Sequence, residues 1–83
     1  MLETYPKLKY IFKDVYHMSI QQYIVTRRIT HAEHLLRDTV LPVSLIAEMV
    51  GYKYISSLSD MFRQHTGMKP TEYRKKMQMT VND

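Results

Sequence analysis

Residues 46–76 read IAEMVGYKYISSLSDMFRQHTGMKPTEYRKK, and this stretch decides the fold. In it and just before it, two sets of residues follow the i, i+3, i+4, i+7 spacing of amphipathic helices: Val43, Ile46, Ala47 and Val50, then Leu58, Met61, Phe62 and His65. A glycine follows each set, Gly51 and Gly67, where glycine fits the left-handed position just past a helix end. The spacing predicts helices over about 43–50 and 56–66, joined by a short turn. This pair is typical of a helix-turn-helix, although spacing alone equally allows an αα-hairpin of a small bundle.

Two further helices are predicted upstream of this stretch. The first, over about 5–16, rests on an apolar stripe at helical spacing, formed by Leu8, Ile11, Phe12 and Val15. The second begins at Ser19, because Gln22 three positions later completes the pattern of a capping box. Its apolar residues keep helical phase to about Arg37, which predicts a long helix.

The connections and the C-terminus complete the outline. Pro42 restricts Leu41 to extended geometry, so residues 39–42 are predicted to be a connector. A short last helix is predicted over about 70–77. Residues 78–83 show no pattern and are predicted to be a disordered tail. The chain is therefore expected to be all-α, with about five helices.

The composition agrees with a small helical domain and excludes several classes of protein. A chain of 83 residues suits one domain with a modest core and no deep catalytic pocket. The absence of Cys removes disulfide frameworks, thiolate zinc sites and cysteine nucleophiles. No P-loop, dinucleotide motif or nucleophile–base arrangement is visible, and the longest run without charged residues is too short for a membrane span. We therefore predict a protein that is not an enzyme, with no cofactor, no metal and no membrane partner.

The charge of the chain favours an anionic partner. Twelve Lys and Arg residues exceed eight Asp and Glu residues, and the sequence pI is about 9.4. A basic balance of this size suggests nucleic acid. It is also an ordinary excess for solubility, so charge alone does not decide the function.

The stretch from Ile46 to Lys76 resembles the AraC/XylS family of bacterial transcription regulators. The family pattern is I-A-x-x-V-G-[FY], a short turn, a recognition helix with F/L-[ST]-R-x-F-[KR], and then G-x-x-P-x-x-Y-R. The matching residues are Ile46, Ala47, Val50, Gly51, Tyr52, Leu58, Ser59, Phe62, Arg63, Gly67, Pro70, Tyr73 and Arg74. So many positions at fixed spacing are far more specific than a lone helix-turn-helix pattern. The resemblance implies a homeodomain-like helix-turn-helix unit that binds DNA.

The first half of the chain is similar to another part of the same family. PKLKYIFKDVYHMSIQQYIVTRRI, residues 6–29, resembles the recognition helix of the family's first helix-turn-helix, running into its long linker helix. The two halves also form a weak internal repeat. Leu8-x-x-x-Phe12-Lys13 parallels Leu58-x-x-x-Phe62-Arg63, and Met18 and Tyr23 parallel Met68 and Tyr73, at an offset of 50 residues. The helices that support the first recognition helix in the family are absent, so the chain is expected to be a C-terminal fragment.

The resemblance divides the chain into four segments. Residues 1–17 correspond to the recognition helix of an incomplete first unit, 18–40 to the linker helix, 41–77 to the second unit and C-terminal helix, and 78–83 to the tail. Each recognition helix would lie in a major groove of DNA. A linker helix of about 17 residues spans ~25 Å, which brings the recognition helices to roughly one DNA turn apart.

In the second unit, six positions match residues that face DNA in the family: Ile55, Ser56, Ser57, Ser59, Asp60 and Arg63. A serine near a helix start is as often a cap as a DNA contact, which leaves both roles open for Ser56. Ser57 and Ser59 lie off the apolar stripe, and contacts are favoured there. Asp60 stands where the family usually has Arg. Because phosphates repel a carboxylate, Asp60 is expected to accept from a cytosine N4 or to pair with Arg63 or Gln64.

In the first unit, the matching positions are Lys7, Lys9, Tyr10 and Lys13, preceded by Pro6. Three lysines on one polar helix face usually indicate a solvated surface, but the resemblance favours phosphate contacts. Tyr10 stands where Arg is usual. His17 stands where Gly is usual, so the turn after this helix is expected to be reshaped.

Two alternatives accompany the DNA-binding hypothesis. His31 and His34 lie at i, i+3 on the predicted linker helix, but two ligands form at most a weak metal site and surface histidines are favoured. The apolar stripe of the first helix lacks its usual partner helices, which predicts self-association and a small protein–protein interaction module. Salt separates the hypotheses, because DNA binding weakens steeply with salt and apolar association does not.

The leading prediction is sequence-specific binding of double-stranded promoter DNA by a bacterial transcription regulator. Its expected location is the bacterial cytoplasm, in association with the nucleoid. An effector ligand is expected to bind only through an upstream domain that this sequence lacks.

Overall fold

A computed structural model describes residue 15 and residues 17–81, and this part of the chain contains four α-helices and no strand. They are α1 (Ile20–Asp38), α2 (Val43–Met49), α3 (Ile55–Thr66) and α4 (Pro70–Val81). The all-α prediction is confirmed, and the predicted bounds of α2 and α3 are correct to within one residue. The helix predicted over about 5–16 lies outside the described residues except for Val15. In the described ranges, no helix is both long and apolar enough to cross a bilayer.

Helix α1 begins at the predicted capping box. The backbone N–H of Gln22 donates to Ser19 Oγ at 3.1 Å, and the backbone N–H of Ser19 donates to Gln22 Oε1 at 3.0 Å. These two bonds satisfy donors that the helix itself leaves free. The helix has 19 residues and therefore spans roughly 28 Å. It ends at Thr39, whose hydroxyl donates to the carbonyl of Leu35.

The core forms where α1 crosses the other three helices. Its buried members are Ile29, Ala32, Leu36, Ile46, Ala47, Val50, Leu58, Phe62 and Tyr73. Phe62 is fully buried, and its ring packs edge-on against Tyr73 with the centroids 5.3 Å apart. α2 and α3 therefore share one core with α1 and α4, as both a helix-turn-helix unit and an αα-hairpin in a small bundle require.

The turn between α2 and α3 favours glycine because of its backbone conformation. Gly51 has φ 104°, a left-handed conformation that side chains disfavour. A Cβ at Gly51 would lie 2.9 Å from Nε of Arg28 on α1, so the end of the Arg28 side chain would have to move. The backbone N–H of Tyr52 then donates to the carbonyl of Ala47 at 2.8 Å, which closes the turn. The predicted left-handed position of Gly51 is confirmed.

The last helix is longer than the sequence predicts. α4 continues past residue 77 to Val81, so the predicted disordered tail 78–83 is wrong for residues 78–81. Residues 82 and 83 lie outside the described part. The Gln78 side-chain amide donates to the carbonyls of Thr39 at 3.3 Å and Leu36 at 3.5 Å, and Arg74 Nε donates to Leu36 at 3.1 Å. These long-range bonds hold the last turns of α4 against the end of α1, and no local sequence pattern reveals them.

Candidate nucleic-acid interface

The buried face of α3 fixes which of its residues point outward. Leu58 and Phe62 are fully buried, four residues apart on one side of the helix. The opposite side carries exposed residues from the first turn to the last: Ser56, Asp60, Arg63 and Gln64. Ile55 is also exposed, at the first position of the helix, but it lies on the side of Leu58 and Phe62. Since the buried side is anchored in the core, this outward face is held in one orientation.

The six predicted DNA-facing residues therefore lie on one helix, but with unequal access. Ile55, Ser56, Asp60 and Arg63 are exposed, whereas Ser57 and Ser59 are half-buried. The capping role left open for Ser56 is wrong, because Tyr54 occupies the N-cap position and no side chain caps the helix. The Ser56 hydroxyl therefore makes no helix-capping hydrogen bond.

Asp60 does not form the side-chain pair that was one of its two expected roles. Among the described residues, its carboxylate forms no salt bridge or hydrogen bond with Arg63 or Gln64. These residues, together with Met61, instead line a shallow open depression on the outer face of α3. Gln64 was not among the predicted contacts. Its position one helical turn after Asp60 is the sequence signal that points to it.

The turn before α3 adds a cation that the sequence pattern did not single out. The Lys53 ammonium lies over the Tyr54 ring, 5.5 Å from its centroid. Both side chains are exposed, and this contact limits the freedom of the lysine. A positive charge is thereby placed at the beginning of α3.

The predicted contacts of the first unit, Lys7, Lys9, Tyr10 and Lys13, lie outside the described residues. The turn that follows them is described from His17. His17 has φ 59°, so it adopts the left-handed conformation that Gly67 adopts at φ 81° in the second unit. The capping bonds of Ser19 and Gln22 follow this left-handed residue directly, and the expected reshaping of the turn relative to the family stays a prediction.

The ionisable groups near the C-terminal end of α1 have structural partners. Arg37 Nε lies 3.0 Å from Asp38 Oδ1, and this hydrogen bond holds the pKa of Asp38 below its ordinary value. The same guanidinium contacts His34 Nδ1 at 3.0 Å. No group of three or more metal-binding side chains occurs in the described ranges. Burial raises the pKa of Tyr73, and the carboxylate of Glu33 raises it further.

The arrangement of α2, the turn and α3 on a long supporting helix can be compared with known proteins. A family model described as a helix-turn-helix domain matches residues 4–76, most of the chain. The chain belongs to the AraC-type helix-turn-helix family. The resemblance of Ile46 to Lys76 to this family is thereby confirmed.

Individual AraC-type relatives agree with this assignment. The melibiose operon regulatory protein of Escherichia coli (strain K12) is 37% identical over 65 residues, which are 78% of this chain. The match covers 22% of that regulator, so the chain spans about a fifth of the relative's length.

Two solved structures show the same fold. The DNA-binding domain of AdpA, in complex with a target DNA, superposes with a TM-score of 0.86 at 23% identity, over 90% of this chain and 68% of that one. An AraC-type transcriptional regulator from Chromobacterium violaceum gives a TM-score of 0.82 at 24% identity, over 87% of this chain and 64% of that one. At these identities the two structures establish the fold alone.

Proposed function

We propose that this chain binds double-stranded DNA with sequence specificity, as part of a bacterial transcription regulator. The observation that carries the proposal is the two-sided character of α3. One side is fully buried through Leu58 and Phe62, and the other presents polar and charged groups in a fixed orientation. A rigid helix with such a face is suited to the major groove, where base edges carry a readable pattern of donors and acceptors. Family membership supports this use of the helix.

The outward residues of α3 suit distinct roles in the groove. Arg63 can donate two hydrogen bonds to a guanine or contact a phosphate. The hydroxyls of Ser56, Ser57 and Ser59 can donate to a base or to a phosphate. Ile55 can pack on a thymine methyl group. Unpaired Asp60 is suited to accept from a cytosine N4, and near phosphates it weakens binding.

The proposal extends to the segments on either side. Lys7, Lys9 and Lys13 would contact phosphates from the first recognition helix, with Tyr10 beside them. Helix α1 would act as the linker that separates the two recognition helices, since its length of roughly 28 Å approaches one DNA turn. The chain acts by binding and not by catalysis, in the bacterial cytoplasm, and an effector would bind to another part of the regulator.

The test begins with selection of bound sites from a random duplex pool by the 83-residue chain. Fluorescence anisotropy then compares the selected duplex with a scrambled one. Arg63→Gln should weaken binding to the selected duplex more than to the scrambled one. Lys75→Gln makes the same change of charge at an exposed position on α4 and is the matched control. The proposal would be refuted if the selection enriched no sequence and if Arg63→Gln and Lys75→Gln changed the DNA affinity equally.

A second function is favoured by the exposure of Val15, which is 62% exposed although it belongs to an apolar stripe. We propose that this stripe, Leu8, Ile11, Phe12 and Val15, mediates self-association, since covering such side chains is favourable by roughly 1.5–3 kcal/mol each. Sedimentation should show a dimer or larger species at micromolar concentration, insensitive to salt. A monomer at high concentration would refute self-association.

A further inference from the structure

A second basic surface lies on α1, beside the turn that leads into α3. Arg27, Arg28 and His31 line an open cleft of about 400 Å³, completed by Met49 and Val50 beside the end of α2. We call this the linker-helix cleft. None of these five residues belongs to the predicted DNA-contacting set.

The linker-helix cleft is held next to the beginning of α3. The Arg28 guanidinium lies over the Tyr52 ring, 5.1 Å from its centroid, and packs against Gly51. Both residues belong to the turn that leads into α3 at Ile55. This stacking holds one cation of the cleft in place without neutralising it.

The positive charge of the cleft is not used within the described part of the chain. Neither Arg27 nor Arg28 forms a salt bridge to any described residue. Glu48, an exposed carboxylate on α2, pairs with neither of them. Arg27 and His31 are exposed, one helical turn apart on the same side of α1. The imidazole has an N–H donor in either protonation state, so all three side chains can donate to an anion.

We propose that the linker-helix cleft binds a phosphate of the DNA backbone beside the groove that α3 enters. In a helix-turn-helix the beginning of the recognition helix approaches the bases, so groups beside that end lie near the flanking backbone. The cleft, the turn and the exposed Lys53 together place positive charge there. This proposal rests on the proposed function and adds to it a contact that fixes register without reading sequence.

The test uses Arg27→Gln, because Arg27 is exposed and the fold does not depend on an interaction of its side chain. A lost phosphate contact weakens binding to the selected and the scrambled duplex by the same severalfold factor. It also reduces the slope of log affinity against log salt by about 0.9. Lys75→Gln controls for net charge and should change both quantities less. In ethylation interference, ethylation of one flanking phosphate should weaken binding of the wild type. The same ethylation should not weaken binding of Arg27→Gln.

The outcomes separate this inference from the function on which it rests. If Arg27→Gln behaves as Lys75→Gln does while Arg63→Gln weakens the selected duplex, the cleft does not contact DNA and the proposed function stands. Such a cleft would suit an acidic protein segment instead. If Arg63→Gln has no effect on either duplex, the proposed function itself fails. Both the inference and the proposed function are supported if Arg27→Gln loses the same affinity for the two duplexes and Arg63→Gln loses more affinity for the selected one.

Discussion

The two turns that lead into α1 and α4 share two backbone features although they are built from different residues. His17 and Gly67 both adopt left-handed conformations, with φ 59° and 81°. Two residues later, the backbone N–H of Ser19 donates to Gln22 Oε1 and that of Lys69 donates to Glu72 Oε1, both at 3.0 Å. We call these segments, residues 17–22 and 67–72, the first and second junctions.

The junctions differ in how each is stabilised. The first has a complete capping box, because Ser19 Oγ also accepts from Gln22, but it carries a non-glycine residue in the left-handed region. The second has glycine at the strained position, whereas Lys69 has no side-chain acceptor for the N–H of Glu72. Each junction therefore has a stabilising feature that the other lacks. Either feature is therefore compatible with a left-handed residue at this position, and glycine is not required for it.

The largest effect is expected where the second junction is anchored in the core. Phe62 precedes this junction and Tyr73 follows it, and their rings pack edge-on. Phe62→Ala leaves a cavity and should lower the free energy of unfolding by ~3–5 kcal/mol, which few domains of this size tolerate. Thermal or urea unfolding measures the change. Met79→Ala, at an exposed position on α4, is the control, and a loss below about 1 kcal/mol for Phe62→Ala would show that the core is misassigned.

Exchanging the left-handed residues should change stability in opposite directions. A Cβ at Gly67 would meet no atom within 4 Å, so Gly67→His should destabilise by about 1 kcal/mol through backbone strain alone. His17→Gly relieves the corresponding strain and should stabilise by ~0.5–1 kcal/mol. Urea unfolding of both variants tests the pair. Changes of the same sign would contradict the equivalence of the junctions.

Effects of similar or smaller size are expected from the caps. Ser19→Ala removes the acceptor for the N–H of Gln22 and should destabilise by ~1 kcal/mol. Lys69→Ser gives the second junction the missing acceptor and should stabilise by roughly 0.5 kcal/mol. Thermal melts of the two variants compare them. Stabilisation by Ser19→Ala would show that the capping box does not hold the first junction.

Local patterns were sufficient to predict most of this fold. The capping box at Ser19, the apolar spacing of Leu58 and Phe62 and the left-handed glycines each rest on neighbouring residues, and each is present. The end of α4 could not be predicted in this way. It depends on bonds from Gln78 to residues on α1 and its end, about 40 positions earlier in the chain.

The candidate site was predictable to a smaller extent. The resemblance identified exposed residues of α3, but the half-burial of Ser57 and Ser59 and the unpaired state of Asp60 follow only from the packing of the folded helices. The linker-helix cleft had no sequence signal, because its basic residues come from α1 and its apolar lining from the end of α2. Such a site exists only once the helices pack.

The central claim, that α3 lies in the major groove, is tested most directly at Asp60. Asp60→Arg should tighten binding to duplex DNA of any sequence and steepen the salt slope by up to ~1, since it replaces a repulsion by a phosphate contact. Asp60→Asn should tighten binding less and leave the slope nearly unchanged. If Asp60 reads a cytosine, both variants should loosen binding at the selected site and strengthen it elsewhere. Anisotropy titrations over a salt series that show no change in affinity or slope for either variant would contradict the claim.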